Sequence, residues 1–169
     1  MDRYINKKEN YTLVEQDRTR ILINFDMQDA PTEGYCTYAQ AVFNKKQHPD
    51  LSIDTVKEAI LAQINDDVKA NIITGFSWDG HPVWLSIENQ TNYKSAYDLA
   101  IQTEGDTLPY VIRVGADDSA PDYIRFNNRS DFADFYRAMV SHIQQCLANG
   151  WQLKDSIEWD RYEQALATL

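Results

Sequence analysis

Cysteine is scarce in this chain of 169 residues, which has two, Cys36 and Cys146. They lie far apart and outside any CxxC spacing, which excludes a disulfide framework and a cysteine zinc site. Two buried free thiols are the expectation. Histidine is nearly as rare: His48, His81 and His142 are scattered and outside any HExxH arrangement, so surface or capping roles are expected and no metal site. No apolar run approaches the length of a membrane span. The first ten residues hold no apolar core of the kind a signal sequence needs, so folding in a reducing cytoplasm is expected. Positive charge is in deficit, with Lys+Arg 16 against Asp+Glu 26 and a formal net charge of -10. That balance repels phosphate backbones and anionic headgroups, so neither nucleic acid nor a membrane surface is an expected partner. Nucleophile elbow, P-loop and dinucleotide fingerprint are all missing, and no cofactor and no catalytic residue is expected.

Hydrophobic residues at 43% and charged residues at 25% are those of a globular chain, and its length suits one domain with or without an appended arm. Residues 1–50 read as a β-rich arm. Tyr11-Thr-Leu-Val14 and Arg20-Ile-Leu-Ile-Asn-Phe25 are extended segments separated by the charged turn Glu15–Arg18. After the loop Asp29–Gly34, the run Tyr35–Phe43 is apolar on both parities, which predicts a strand covered on both sides or packed on a neighbouring chain.

From Ser52 the periodicity changes. Ile53, Val56, Ile60, Ile64 and Val68 form one helical stripe, capped by Ser52 or Asp54 and ending near Asn71. Asp79-Gly80 between Ile72–Trp78 and His81–Leu85 predicts a tight hairpin, because both turn positions favour positive φ. Ser86 is placed to cap a second helix bearing Tyr93, Tyr97, Ala100 and Ile101. A second hairpin, Tyr110–Val114 and Tyr123–Phe126, leads to a third helix expected to start at Ser130 and stop at Asn149-Gly150. Hairpins with about three helices imply an α+β fold: antiparallel hairpins packed on helices in residues 51–169, with the β-rich arm in front.

Gly75-Phe-Ser-Trp-Asp-Gly-His81, Ser86-Ile-Glu-Asn-Gln-Thr-Asn-Tyr-Lys94 and Gly150-Trp-Gln-Leu-Lys-Asp-Ser-Ile157 carry a family likeness. In that order, over roughly residues 60–162, the chain resembles an uncharacterised domain that recurs in tail-fibre and other virion proteins of bacteriophages, including phages of gut bacteria. The resemblance implies a non-enzymatic virion structural protein, made in the bacterial host cytoplasm and working through contacts with other virion proteins in a symmetric homo-oligomer. It carries no catalytic residues. A tail-fibre assembly chaperone is the alternative.

Within the arm, Tyr4, Tyr11, Tyr35, Tyr38 and Phe43 are candidate interface residues, since Tyr is enriched where proteins meet. In the first hairpin, Trp78, His81 and Trp84 are candidates to face a ligand or partner. A carbohydrate-binding module or hydrolase is the third reading, resting on Trp78 and Trp84, with Asp79 and Glu88 as the carboxylate pair a glycosidase would need. The weaker expectation for the acidic loop Asp117–Asp122 is a Ca²⁺ site, because it lacks the alternating oxygen ligands of an EF-hand.

Overall fold

A computed structural model describes residues 1–115 and 122–169. The fold is α+β; among the described residues there are four α-helices, and the strands pair antiparallel. Two compact units form, residues 1–67 with 150–169, and residues 68–149.

The first unit holds a four-stranded sheet in the order β1-β4-β3-β2: β1 is Tyr4–Lys7, β2 Val14–Gln16, β3 Arg20–Asp29 and β4 Tyr35–Asn44. The long central pair sets its core. Ile21 lies opposite Phe43, Ile23 opposite Ala41 and Phe25 opposite Ala39, and all six are buried. Strict alternation places them on one face. The same unit buries Val56, Ile60 and Ile64 of helix α1 (Ile53–Thr74), three residues of the expected stripe, and Tyr162 of α4 (Trp159–Leu166). The strand-rich residues 1–50 are thus part of one compact unit with 51–67 and 150–169.

Several strand boundaries differ from the sequence reading: β3 runs past Phe25 to Asp29, and Ile72–Thr74, expected in the first hairpin, belong to α1. Within Tyr11–Val14 only Val14 is part of a paired strand, and the turn comes later, where Asp17 Oδ1 accepts the N–H groups of Thr19 and Arg20 at 2.7 and 2.8 Å. The unforeseen β1 has little apolar signal of its own, and becomes a strand because β4 offers it an edge.

The second unit carries hairpin β5–β6 (Ser77–Trp78 and His81–Pro82), helix α2 (Ile87–Gln102), hairpin β7–β8 (Tyr110–Val114 and Asp122–Phe126) and most of helix α3 (Arg129–Asp155). The turn of the first hairpin has φ of 50° at Asp79 and 80° at Gly80, the left-handed pair that Asp-Gly was expected to supply. Ser86 caps α2 through Oγ, accepting from Asn89 N–H at 3.2 Å. Helix α3 departs from expectation at both ends. Asn128, not Ser130, caps it, accepting the Asp131 N–H at 3.0 Å. It then runs through Asn149-Gly150 to Asp155: Gly150 is a buried helical residue, and glycine permits a left-handed stop without enforcing one.

The core of this unit is aromatic. Phe132, Phe135 and Met139 of α3 meet Phe126, Ile112 and Val114 of β7–β8, Tyr93 and Ala100 of α2, and Phe76, Val83 and Leu85 around the first hairpin. Phe126 stacks on Phe132 with centroids 4.9 Å apart and planes 9° from parallel.

Candidate functional site

Strand β1 ends the sheet of the first unit, paired to β4 on one side only. Lys8 donates to Gly34 O at 2.9 Å, which fixes the phase of the ladder: Tyr4 and Asn6 bond inward to β4, and Ile5 and Lys7 turn their backbone groups outward. The Lys7 N–H is occupied by Asn6 Oδ1 at 2.8 Å. Ile5 is 62% exposed, and Tyr4 beside it is 44% exposed.

The other candidates of the strand-rich segment divide differently. Tyr38 and Phe43 are core residues, each only 6% exposed, and Tyr11 and Tyr35 are half-buried. Tyr38 bridges two of the others, stacked on Tyr4 at 6.0 Å and edge-on to Tyr11 at 5.3 Å. Four aromatic residues of an expected contact surface are thereby spent wholly or partly on holding the sheet together, and Tyr4 is left at its rim.

Beneath them lies a polar hub that sequence reasoning missed. Asn24 of β3 is fully buried, and its amide donates to Thr12 O and to Glu15 Oε1, both at 2.8 Å, while Gln40 donates to its Oδ1 at 2.8 Å. Its backbone faces β2, which has ended by this point. The Asn24 N–H still reaches Leu13 O at 2.8 Å, and its carbonyl accepts the phenols of Tyr11 at 3.3 Å and Tyr162 at 3.1 Å in place of a strand. A polar residue inside the apolar run Ile21-Leu-Ile-Asn-Phe25 was the available signal. Past the hub, Tyr11, Asp26, Met27, Ile157, Arg161 and Tyr162 line a cleft of about 330 Å³. Asp26, at φ 52° in a β-bulge, is held by Arg3 through both its carboxylate and its carbonyl.

Burial pushes the Tyr11 phenol up to about 12 and raises that of Tyr162 as well. Both phenols stay protonated in the fold after an unfolded tyrosine, with its ordinary value of 10.0, has begun to ionise. Stability is therefore complete below about pH 10 and falls as pH rises towards 12. Thermal midpoints measured between pH 9 and 12 should decline, and decline less in a Tyr11→Phe, Tyr162→Phe double variant. Some slope should remain, because burial also raises Tyr38, Tyr93 and Tyr110. An identical slope in the double variant would contradict this account.

In the second unit the two hairpin tryptophans part company. Trp78 is half-buried and edge-on to Phe135 at 5.6 Å, whereas Trp84 is 59% exposed. His81 Nδ1 lies 3.1 Å from Asp122 Oδ2. A cleft of about 460 Å³ opens beside Trp84 along Tyr110–Gly115. His48 stacks edge-on to Phe43, and His142 Nε2 lies 3.1 Å from Asn71 O. Among the described residues no group of three His, Cys, Asp or Glu side chains is placed to hold a metal ion. All but the last residue of the acidic loop Asp117–Asp122 lies outside the described residues. No helix among the described residues is long and apolar enough to cross a membrane.

Residues 55–168 match a family described as a domain of unknown function, DUF4376. No curated protein and no solved structure matches the chain.

Proposed function

The chain belongs to the DUF4376 family, and from that premise we propose that it is a non-enzymatic structural component of a bacteriophage virion that acts by protein–protein docking. The virion assignment is supported by the likeness of its hairpin and closing-helix motifs to a domain of phage tail-fibre and other virion proteins. The docking mode is supported by one observation above all: β1 ends its sheet with the Ile5 backbone turned outward and with both Tyr4 and Ile5 exposed. An extended segment of a neighbour can add to such an edge as a further strand. Lys7 and Lys8 beside it keep the lone chain from pairing indiscriminately, the usual use of lysine on an edge. Several identical copies in a closed ring or fibre are the expected setting.

Proteomics of purified particles tests the assignment. The protein should be found in them at stoichiometric levels. An Ile5→Pro variant removes one outward N–H and leaves the β4 ladder intact, so it should fold yet be absent from particles. A wild-type protein abundant in infected cells but missing from particles would refute the assignment.

A further inference from the structure

The cleft beside Trp84 lies in the second unit, away from the edge of β1, and it is polar without offering a ligand a charge. It holds about 460 Å³, within the roughly 300–1,000 Å³ of small-molecule sites. None of its described lining residues is a carboxylate, although Asp+Glu outnumber Lys+Arg by 26 to 16 in the chain. Arg113 is the charged residue of the lining, and it already has a partner. What remains is the exposed indole of Trp84 and a set of neutral hydrogen-bonding groups.

Helix α2 supplies one wall. Asn89 Nδ2 donates to Trp84 O at 2.8 Å, which fixes the amide and leaves Oδ1 as an acceptor. Asn92, close to one turn further on, adds a second amide. Tyr93 is the most informative of the lining residues. It is only 5% exposed, with its ring edge-on to Phe135 at 5.4 Å, yet it lines the cleft and its hydroxyl bonds to no described residue. That oxygen is not sealed in, because the sealed side-chain atom lacking a partner among the described residues is Gln63 Oε1. A buried ring thus presents an unpartnered hydroxyl to the cleft, where polar groups of buried residues are ordinarily bonded.

Strand β7 supplies the opposite wall. Tyr110 stacks on Phe132 at 5.2 Å and lines the cleft near Tyr93. Burial and then the neighbouring Tyr110 raise the Tyr93 phenol, and burial raises that of Tyr110. Both therefore remain neutral hydroxyls that donate and accept. The Gly115 N–H goes to Pro82 O at 3.1 Å and so points away from β8; alternation turns the N–H and carbonyl of Val111 the same way.

We infer that this cleft binds a short neutral saccharide. One sugar ring lays its C–H face on the Trp84 indole, and its hydroxyls exchange hydrogen bonds with Asn89, Asn92, Tyr93 and Tyr110. Sugar hydroxyls donate and accept at once, as this lining of amides and phenols requires. A charged ligand would leave its charge unanswered. The site binds and does not cleave: a glycosidase needs a carboxylate on each side of the scissile bond, and the described lining has none.

The test is ligand-observed NMR titration of the full chain with four neutral disaccharides, namely maltose, cellobiose, lactose and diacetylchitobiose. Glucuronic acid and glucosamine serve as charged comparisons. A neutral disaccharide should bind, and both charged sugars should bind at least about tenfold more weakly. Trp84→Ala, at an exposed position, should weaken binding about tenfold with an unchanged thermal midpoint. Tyr93→Phe removes only the unpartnered hydroxyl, so it should weaken binding about threefold to tenfold without lowering the midpoint. Trp151→Ala, at an exposed tryptophan of the first unit, should leave binding unchanged. The inference is overturned if none of the four disaccharides binds or if a charged sugar binds as tightly. It is also overturned if Trp84→Ala and Tyr93→Phe bind like the wild type, or if Trp151→Ala weakens binding as much as they do. Loss of self-association in Trp84→Ala would overturn it too, by putting a second copy in the cleft.

Discussion

Replacing Phe135 by alanine should destabilise the protein by about 3–5 kcal/mol, the range for deleting a fully buried large aromatic. Phe135 is completely buried, and five rings surround it within 6.3 Å: Phe76, Trp78, Tyr93, Phe126 and Phe132. These partners come from the first hairpin region, α2, β8 and α3, so the cavity would have to be filled by elements moving in from several directions. Packed interiors relax only partly after such a deletion, and the edge-on contacts of Trp78 and Tyr93 are lost as well. Urea unfolding, followed by tryptophan fluorescence and near-ultraviolet circular dichroism, measures the effect. Phe135→Leu, which retains most of the volume, should cost less than half as much. A loss below about 1 kcal/mol for the alanine variant would mean that the aromatic cluster is not what holds this unit together.

Asn24→Ala should cost about 3 kcal/mol through a different mechanism, the stranding of buried polar groups. Three side-chain hydrogen bonds disappear together, and Thr12 O, the Glu15 carboxylate and the Gln40 amide each lose a partner. The two phenols keep theirs, since they bond to the backbone carbonyl. Asn24→Leu fills the space and strands the same groups, so it should be nearly as damaging. If leucine restored wild-type stability, packing and not the polar hub would be the reason for the residue. Hydrogen exchange at the β2–β3 amides should accelerate in both variants, because Asn24 ties the segment before β2 to β3.

Much of the architecture is legible in the sequence because its signals are local. Asp79-Gly80 forms the turn it implies, Ser86 caps the helix it precedes, and the stripe of α3 supplies Phe132, Phe135 and Met139 to the core. The misreadings are those in which tertiary pairing outweighs local preference. β1 exists because β4 has an edge to offer, and Gly150 is buried within α3. The candidate sites were harder to see for the same reason. Tyr4 and Tyr38 look equivalent in sequence, yet adjacent strands in the sheet leave one 44% and the other 6% exposed. The cleft beside Trp84 ends at Gly115, which is bonded to Pro82, a residue more than thirty positions away, and no periodicity reports such a contact.

The claim that the protein works by docking through the β1 edge meets its most direct test in solution. Sedimentation velocity of the wild type and the Ile5→Pro variant, over a wide concentration range, reads it. The account predicts that the wild type sediments as an integral multiple of the 19.6 kDa chain and that Ile5→Pro sediments as a folded monomer. A wild type that stays monomeric at every concentration, or an oligomer that Ile5→Pro leaves intact, would contradict it.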